Sequence, residues 1–176
     1  MKTLQKITPH ISVIKKNVMV KDLMSTDVLT MKMTDTVFHA SQEMSSHDIS
    51  TIVIAEDKKP VGIVTERDLL KKIIVQGKNP KKVKLLDIMS TNLKTIGPNE
   101  STLKAGQMMK RHNVKKLLVV DNKKELKGII TQTDIIKCLN RIYDSYQSIL
   151  WNPWVLIILF VFISLLFIIN ALIFNT

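Results

Sequence analysis

Gly62-Ile63-Val64-Thr65-Glu66-Arg67-Asp68 and Gly128-Ile129-Ile130-Thr131-Gln132-Thr133-Asp134 are one pattern written twice, 66 positions apart. A glycine is followed by two β-branched apolar residues, a threonine, two variable positions and an aspartate. The β-branched pair suits a strand. Thr-x-x-Asp at its end has the spacing of a capping box, in which threonine caps a helix N-terminus and the acid three residues on returns a bond. The same junction also has a chemical reading. It sets a hydroxyl, free backbone N–H groups and a carboxylate at the positive end of a helix. A carboxylate accepts from both hydroxyls of a ribose, and hydroxyl and N–H groups donate to phosphate. For one copy, both readings stand.

The repetition extends well beyond the motif. A shift of 65 lays Asp22, Met24, Ser25, Thr30, Ala40, Met44 and His47 on Asp87, Met89, Ser90, Thr95, Ala105, Met109 and His112. Leu23/Ile88, Phe38/Leu103, Ile49/Val114, Ile52/Leu117 and Ile54/Val119 are conservative pairs under the same shift. One extra residue in the second copy makes the shift 66, and Gly62, Ile63, Thr65, Asp68 and Lys71 then meet Gly128, Ile129, Thr131, Asp134 and Lys137. Such self-similarity marks one structural unit built twice. Each copy is expected to run strand, helix, strand, strand, helix. Val28–Met31, Ile52–Ala55 and Val61–Val64 are the strands of the first copy; Leu93–Ile96, Leu117–Val120 and Lys127–Ile130 are those of the second. Thr36 and Ser101 are expected N-caps of the first helices, and Leu69–Ile74 and Ile135–Leu139 close the units as helices. Neither unit buries much alone, so the two are expected to pack as a pseudo-symmetric α/β (α+β) pair.

At this point the chain resembles a known family, the paired cystathionine-β-synthase (CBS) domain or Bateman module. The resemblance rests on VKDLMS (20–25), LLDIMS (85–90), the GIVTERDLL and GIITQTDII segments, and VKKLLVVD (114–121). It implies two CBS units (β-α-β-β-α), 18–78 and 79–142, after a basic lead over 1–17. It further implies a regulatory, homodimeric module that binds AMP, ADP, ATP or S-adenosylmethionine between the repeats, with no catalytic cofactor. Carried over residue by residue, Asp134 would hold ribose hydroxyls, with Thr131 near the ribose and first phosphate. The base would lie against Thr30, Ile49 and Ser50, and Lys116 would meet phosphate. The second cleft would use Asp68 and Thr65, with Thr95, Val114 and Lys115 toward the base. Thr51, uncharged, stands opposite Lys116 in the repeat, so the Asp134 cleft is expected to prefer phosphorylated ligands. The proline that many members carry in the second strand is replaced by Val53 and Leu118.

Composition splits the chain of 176 residues. Its 26 Lys+Arg exceed 15 Asp+Glu, for a formal net charge of +11. From Trp151 to Thr176 there is no charged residue, and 20 of the 26 positions are apolar. This excludes a wholly soluble protein and a polytopic transporter alike. Trp154 to Phe174, as a helix, spans roughly 31 Å, the thickness of a bilayer core. A transmembrane helix over 153–174 is expected, with Asn152 as N-cap, Pro153 as first helical residue and residues 143–152 as a juxtamembrane linker. Trp151, Trp154, Tyr143 and Tyr146 would form its interfacial belt. Its place at the end of the chain predicts a tail anchor, with the basic body cytoplasmic by the positive-inside bias.

Few other residues carry chemistry. Cys138 is alone, which forbids an intrachain disulfide, and the N-terminal residues never build the apolar run of a signal peptide. His47 and His112 sit at equivalent helix ends, where histidine favours the negative terminus or contacts a phosphate; no metal-ligand spacing surrounds them, and no nucleophilic or acid–base arrangement stands out. The chain is therefore expected to be non-enzymatic: a membrane-anchored sensor of an adenosine nucleotide, signalling to an effector protein. The alternative is an accessory or scaffold subunit of a membrane transporter or channel with no strong ligand binding. Third, a nucleic-acid-binding regulator rests on charge alone, without a stacking platform.

Overall fold

The structure, a computed structural model, describes residues 18–150 and 153–174. The expectations for the basic lead, Trp151 and Asn152 lie outside those residues. The chain divides into two compact units, one of them Val18–Ile135.

Within Val18–Ile135 the order is α1 (Val20–Leu23), β1 (Thr30–Met31), α2 (Val37–Ser46), β2 (Thr51–Glu56), β3 (Lys59–Thr65) and α3 (Glu66–Leu69). A π-helical turn over Leu70–Ile74 continues α3, and a 3₁₀ turn over Leu85–Asp87 follows. The pattern then repeats with β4 (Thr95–Ile96), α4 (Thr102–His112), β5 (Lys116–Val120), β6 (Leu126–Thr131) and the start of α5 (Gln132–Leu150). Two three-stranded sheets result, β1-β2-β3 and β4-β5-β6. In each the first strand is parallel to the central one (Thr30↔Val53; Thr95↔Leu118) and the third antiparallel (Ile54↔Gly62; Val119↔Gly128). The pairing slips at Ile54/Ala55 and again at Val119/Val120, the same place in both copies. The extra residue of the second copy falls in the β5–β6 turn. The β2–β3 turn needs two residues, Asp57 and Lys58, both at positive φ, as a type I′ turn requires.

The expected caps form: Thr36 Oγ1 accepts from His39 N–H and Ser101 Oγ from Lys104 N–H, each at 3.2 Å. They seat α2 and α4 so that Val37, Ala40 and Met44, or Ala105 and Met109, face inward. Ile52 and Ile54 meet the first set, and Leu117 and Val119 the second. Val53 and Leu118 alternate to the other faces of their sheets and are buried there too.

The cores are not built from contiguous halves. Leu85 and Ile88, which lead into the second copy, are buried in the first copy's core. Val20, which leads into the first copy, is buried in the second. Backbone bonds follow the same exchange. Ser25 N–H donates to Ile129 O and Ile129 N–H to Ser25 O, both at 2.9 Å, while Ser90 and Ile63 pair likewise at 2.9 and 3.1 Å. Asp22 and Asp87 each cap their short helical turn, bonding Met19 N–H and Lys84 N–H at 3.0 Å. Both arms thus cross to the opposite copy.

Gly62 and Gly128 lie beneath these arms, and their surroundings differ. A Cβ on Gly128 would stand 2.6 Å from the backbone oxygen of Ser25, whereas one on Gly62 would meet the side chain of Met89. A thioether can swing aside; a backbone carbonyl held in a bridge cannot without breaking it. Gly128→Ala is therefore expected to cost about 2 kcal/mol and Gly62→Ala less than about 1 kcal/mol. Equal losses in chemical denaturation would contradict this account.

In the other unit, α5 runs on to Leu150 and covers residues 143–150, which the sequence had assigned to a linker. No glycine or proline interrupts the stretch before Pro153, so nothing stops the helix. Helix α6 (Pro153–Phe174) has 22 residues, begins at the expected proline, and is the one described helix long and apolar enough to cross a membrane.

Candidate functional site

Both Thr-x-x-Asp junctions form the capping box. Thr65 N–H and Oγ1–H donate to Asp68 Oδ2 at 3.0 and 2.6 Å. Asp68 N–H returns to Thr65 Oγ1 at 3.4 Å. The second copy reproduces this: Thr131 N–H and Oγ1–H reach Asp134 Oδ2 at 2.8 and 2.6 Å, and Asp134 N–H returns at 3.2 Å. One carboxylate oxygen is therefore committed to the helix cap in each copy. The capping and ligand readings are compatible, because an ionised carboxylate has lone pairs beyond those the cap uses.

In the first copy the other carboxylate oxygen has a cation. Lys72 Nζ lies 2.9 Å from Asp68 Oδ1 and also donates to the carbonyl of Ile88. Burial raises the Asp68 pKa, but the Thr65 hydroxyl, Lys72 and the Thr65 N–H more than offset it, leaving the carboxyl below its ordinary 3.8. Asp68 is thus ionised at neutral pH, and whatever stability its bonds supply fades as pH falls through its lowered value.

A cleft of about 970 Å³ opens beside Asp68. Thr65, Glu66, Arg67 and Asp68 line it from the β3–α3 junction, and Ser90, Asn92, Leu93 and Lys94 from the segment after the crossing arm. The C-terminus of α4 and the start of β5 supply His112, Asn113, Val114, Lys115 and Lys116. Asn113 caps α4 in the left-handed conformation, φ 51°, which turns the chain toward β5. Four cations, Arg67, Lys94, Lys115 and Lys116, face two carboxylates, Glu66 and Asp68.

Of the residues expected around Asp68, the cleft brings together Thr65, Val114 and Lys115; Thr95 is not on its wall, and Leu93 and Lys94 stand there instead. Ser50 and Lys116, expected with Asp134, line the Asp68 cleft. The reason is that Thr51 and Lys116, repeat counterparts, both begin central strands, and Lys116 Nζ donates to Thr51 Oγ1 and to Ser50 Oγ, the latter at 3.1 Å. Burial holds the Lys116 ammonium below its usual pKa, partly offset by Glu66 and reinforced by Lys115. Thr131 and Asp134 are not among the lining residues, although Gln132 between them is, and Thr131 pairs with Lys116 across β5 and β6; Ile49 packs against the first core, and Thr30 is exposed on β1. Sequence reasoning missed Arg67, Lys72 and Lys94. Arg67 lies inside the motif itself, and Lys72 follows Asp68 by one helical turn, the signal that could have found it. His112 reaches the cleft, whereas His47 Nδ1 stays 3.1 Å from the carbonyl oxygen of Glu43 at the end of its own helix.

No group of His, Cys, Asp and Glu among the described residues is arranged to hold a metal. The CBS domain family matches the chain twice, over residues 20–75 and 85–141. An uncharacterized protein of Methanopyrus kandleri is 36% identical over 69% of this chain and 63% of its own length. A mitochondrial CBS domain-containing protein of Arabidopsis thaliana is 34% identical over 60% of this chain and 53% of its own. The matched part of the chain thus spans between half and two thirds of these two relatives. Among solved structures, a CBS domain pair in complex with 5′-methylthioadenosine and S-adenosyl-L-methionine superposes with a TM-score of 0.65, at 26% identity, over 71% of this chain and 98% of that one. With the family matched in both copies, across the arms, sheets and cleft junctions described above, the chain belongs to the CBS domain family and carries its domain as a tandem pair.

Proposed function

We propose that the chain is a membrane-anchored, non-enzymatic sensor in which an adenosine nucleotide occupies the clefts between the CBS repeats and changes the affinity for an effector protein. The observation that carries this reading is the Asp68 cleft. There, a capped carboxylate suited to ribose hydroxyls faces a basic wall suited to phosphate. The adenosine ligands of the related domain pair support the same ligand class. Asp68, Thr65, Val114, Lys115, Lys116 and Ser50 would contact ligand here, with Thr95 behind the wall. Asp134, Thr131, Thr30 and Ile49 would serve the second cleft. The position of Lys116 favours phosphate on the Asp68 side, the reverse of the preference that sequence alone suggested.

Helix α6 would hold the module at a membrane, its charged body on the cytoplasmic face. Ile136, Leu139 and Tyr143, exposed at helical spacing on α5, favour self-association into a homodimer. Ligand would act by preferring one relative arrangement of repeats or modules, a shift no larger than that preference.

Calorimetry on the full chain in detergent, with AMP, ATP and S-adenosylmethionine as probes, tests the sensor reading. Saturable binding of at least one is expected. If all three fail to bind a folded protein, the clefts are not adenosine sites and the scaffold reading replaces this one.

A further inference from the structure

The two repeats differ one helical turn past the cleft aspartate. Lys72 follows Asp68 by four residues, and the shift of 66 puts Cys138 in its place after Asp134. In the first copy the ammonium is 2.9 Å from the carboxylate, with the two side chains 36% and 17% exposed. It is also pinned by the Ile88 carbonyl of the crossing arm. Its position is therefore set by the fold, not by a ligand.

A carboxylate that grips a ribose stands close to any phosphate on the same nucleoside and repels it. An ammonium fixed against that carboxylate turns a net negative charge into a dipole, which leaves Glu66 as the one uncompensated carboxylate lining the cleft against Arg67, Lys94, Lys115 and Lys116. A half-buried thiol at Cys138 does not neutralise Asp134 in that way.

We propose that Lys72 is the specificity-determining residue of the Asp68 cleft, making it select nucleoside phosphates over the uncharged nucleoside. The proposal rests on the adenosine-sensing reading above. It assigns the preference to a residue that itself need not touch ligand.

The test is calorimetric titration of the full chain with AMP and with adenosine, in an Asp134→Ala background that isolates the Asp68 cleft. AMP is expected to bind more tightly than adenosine. Lys72→Met is expected to shrink that affinity ratio about tenfold, and Lys72→Arg to restore most of it. Continued adenosine binding by Lys72→Met shows that the variant is folded. If Lys72 merely supported the fold, its loss would weaken both ligands alike and leave the ratio unchanged, which overturns the proposal. A ratio near one with Lys72 intact overturns it too. Failure of both ligands to bind the wild-type chain would remove the sensor reading and this one together; binding with an unmoved ratio removes only the role of Lys72.

Discussion

Leu85→Ala is expected to destabilise the first copy by about 3 kcal/mol, although Leu85 lies beyond that copy in the chain. The side chain is fully buried among Met31, Val37, Ile52 and Ile54 of the first core. Its N–H donates to Asp35 O at 2.9 Å, and that of Leu86 to Met33 O at 3.0 Å. These bonds hold the backbone in place, so the site cannot collapse around a smaller residue. The lost methyl groups therefore leave most of their volume as a cavity, and large-to-small costs of this kind run from about 2 to 5 kcal/mol. Val20→Ala, the mirror change in the second core, removes less volume and should cost about half as much. Native-state hydrogen exchange reads the outcome directly. Amides of β2, Ile52 and Ile54 among them, should lose protection in Leu85→Ala before those of β5. If only the arm itself loosens while β2 stays protected, the arms are decoration and the exchanged-core description is wrong.

Asp68→Ala should lower affinity for an adenosine ligand about hundredfold in its cleft. Two ribose hydroxyls donating to a carboxylate make charge-assisted hydrogen bonds, each contributing about 1.5 kcal/mol or more. Alanine removes both acceptors and leaves Lys72 as an uncompensated cation. The same change deletes half of a capping box, which costs about 1 kcal/mol of stability. Asp68→Asn separates the two effects. Its carbonyl can still accept from Thr65, so the helix cap largely survives while the charge that strengthens the ribose contacts is gone. Binding to Asp68→Ala within twofold of wild type, measured by calorimetry with Asp134→Ala already present, would mean that this carboxylate serves only the cap.

How far the sequence led can be judged from such residues. The strand and helix pattern was legible because Ile52, Ile54, Leu117 and Val119 recur at one spacing, and because Thr36 and Ser101 are strong capping residues. The helical character of 143–150 was masked by a functional label, although no breaker precedes Pro153. The arms escaped notice for a different reason. VKDLMS and LLDIMS announce themselves as a repeat, but self-comparison reports likeness, and either partner offers Val20 or Leu85 an equivalent pocket. The choice between them is three-dimensional. Lys116 shows the same limit: it begins a central strand next to its own counterpart, Thr51, and so lines the Asp68 cleft while pairing with Thr131 of the other junction. Thr65 and Asp68 were the easiest residues to find, since helix capping and ligand chemistry ask for the same atoms at that junction.

The crossed arms also dictate an order of events during synthesis. The first core lacks Leu85 and Ile88 until the chain beyond its closing helix has been made, so β2 and α2 are without part of their core until then. Val20 waits longer still, because β6 and Ile130 are made more than a hundred residues after it. These contacts raise the mean sequence separation and slow folding relative to two independent domains of the same size. They also couple the halves: a chain cut between Ser46 and Leu85 cannot yield a complete core from either piece, and one cut beyond the second arm still leaves the second core without Val20.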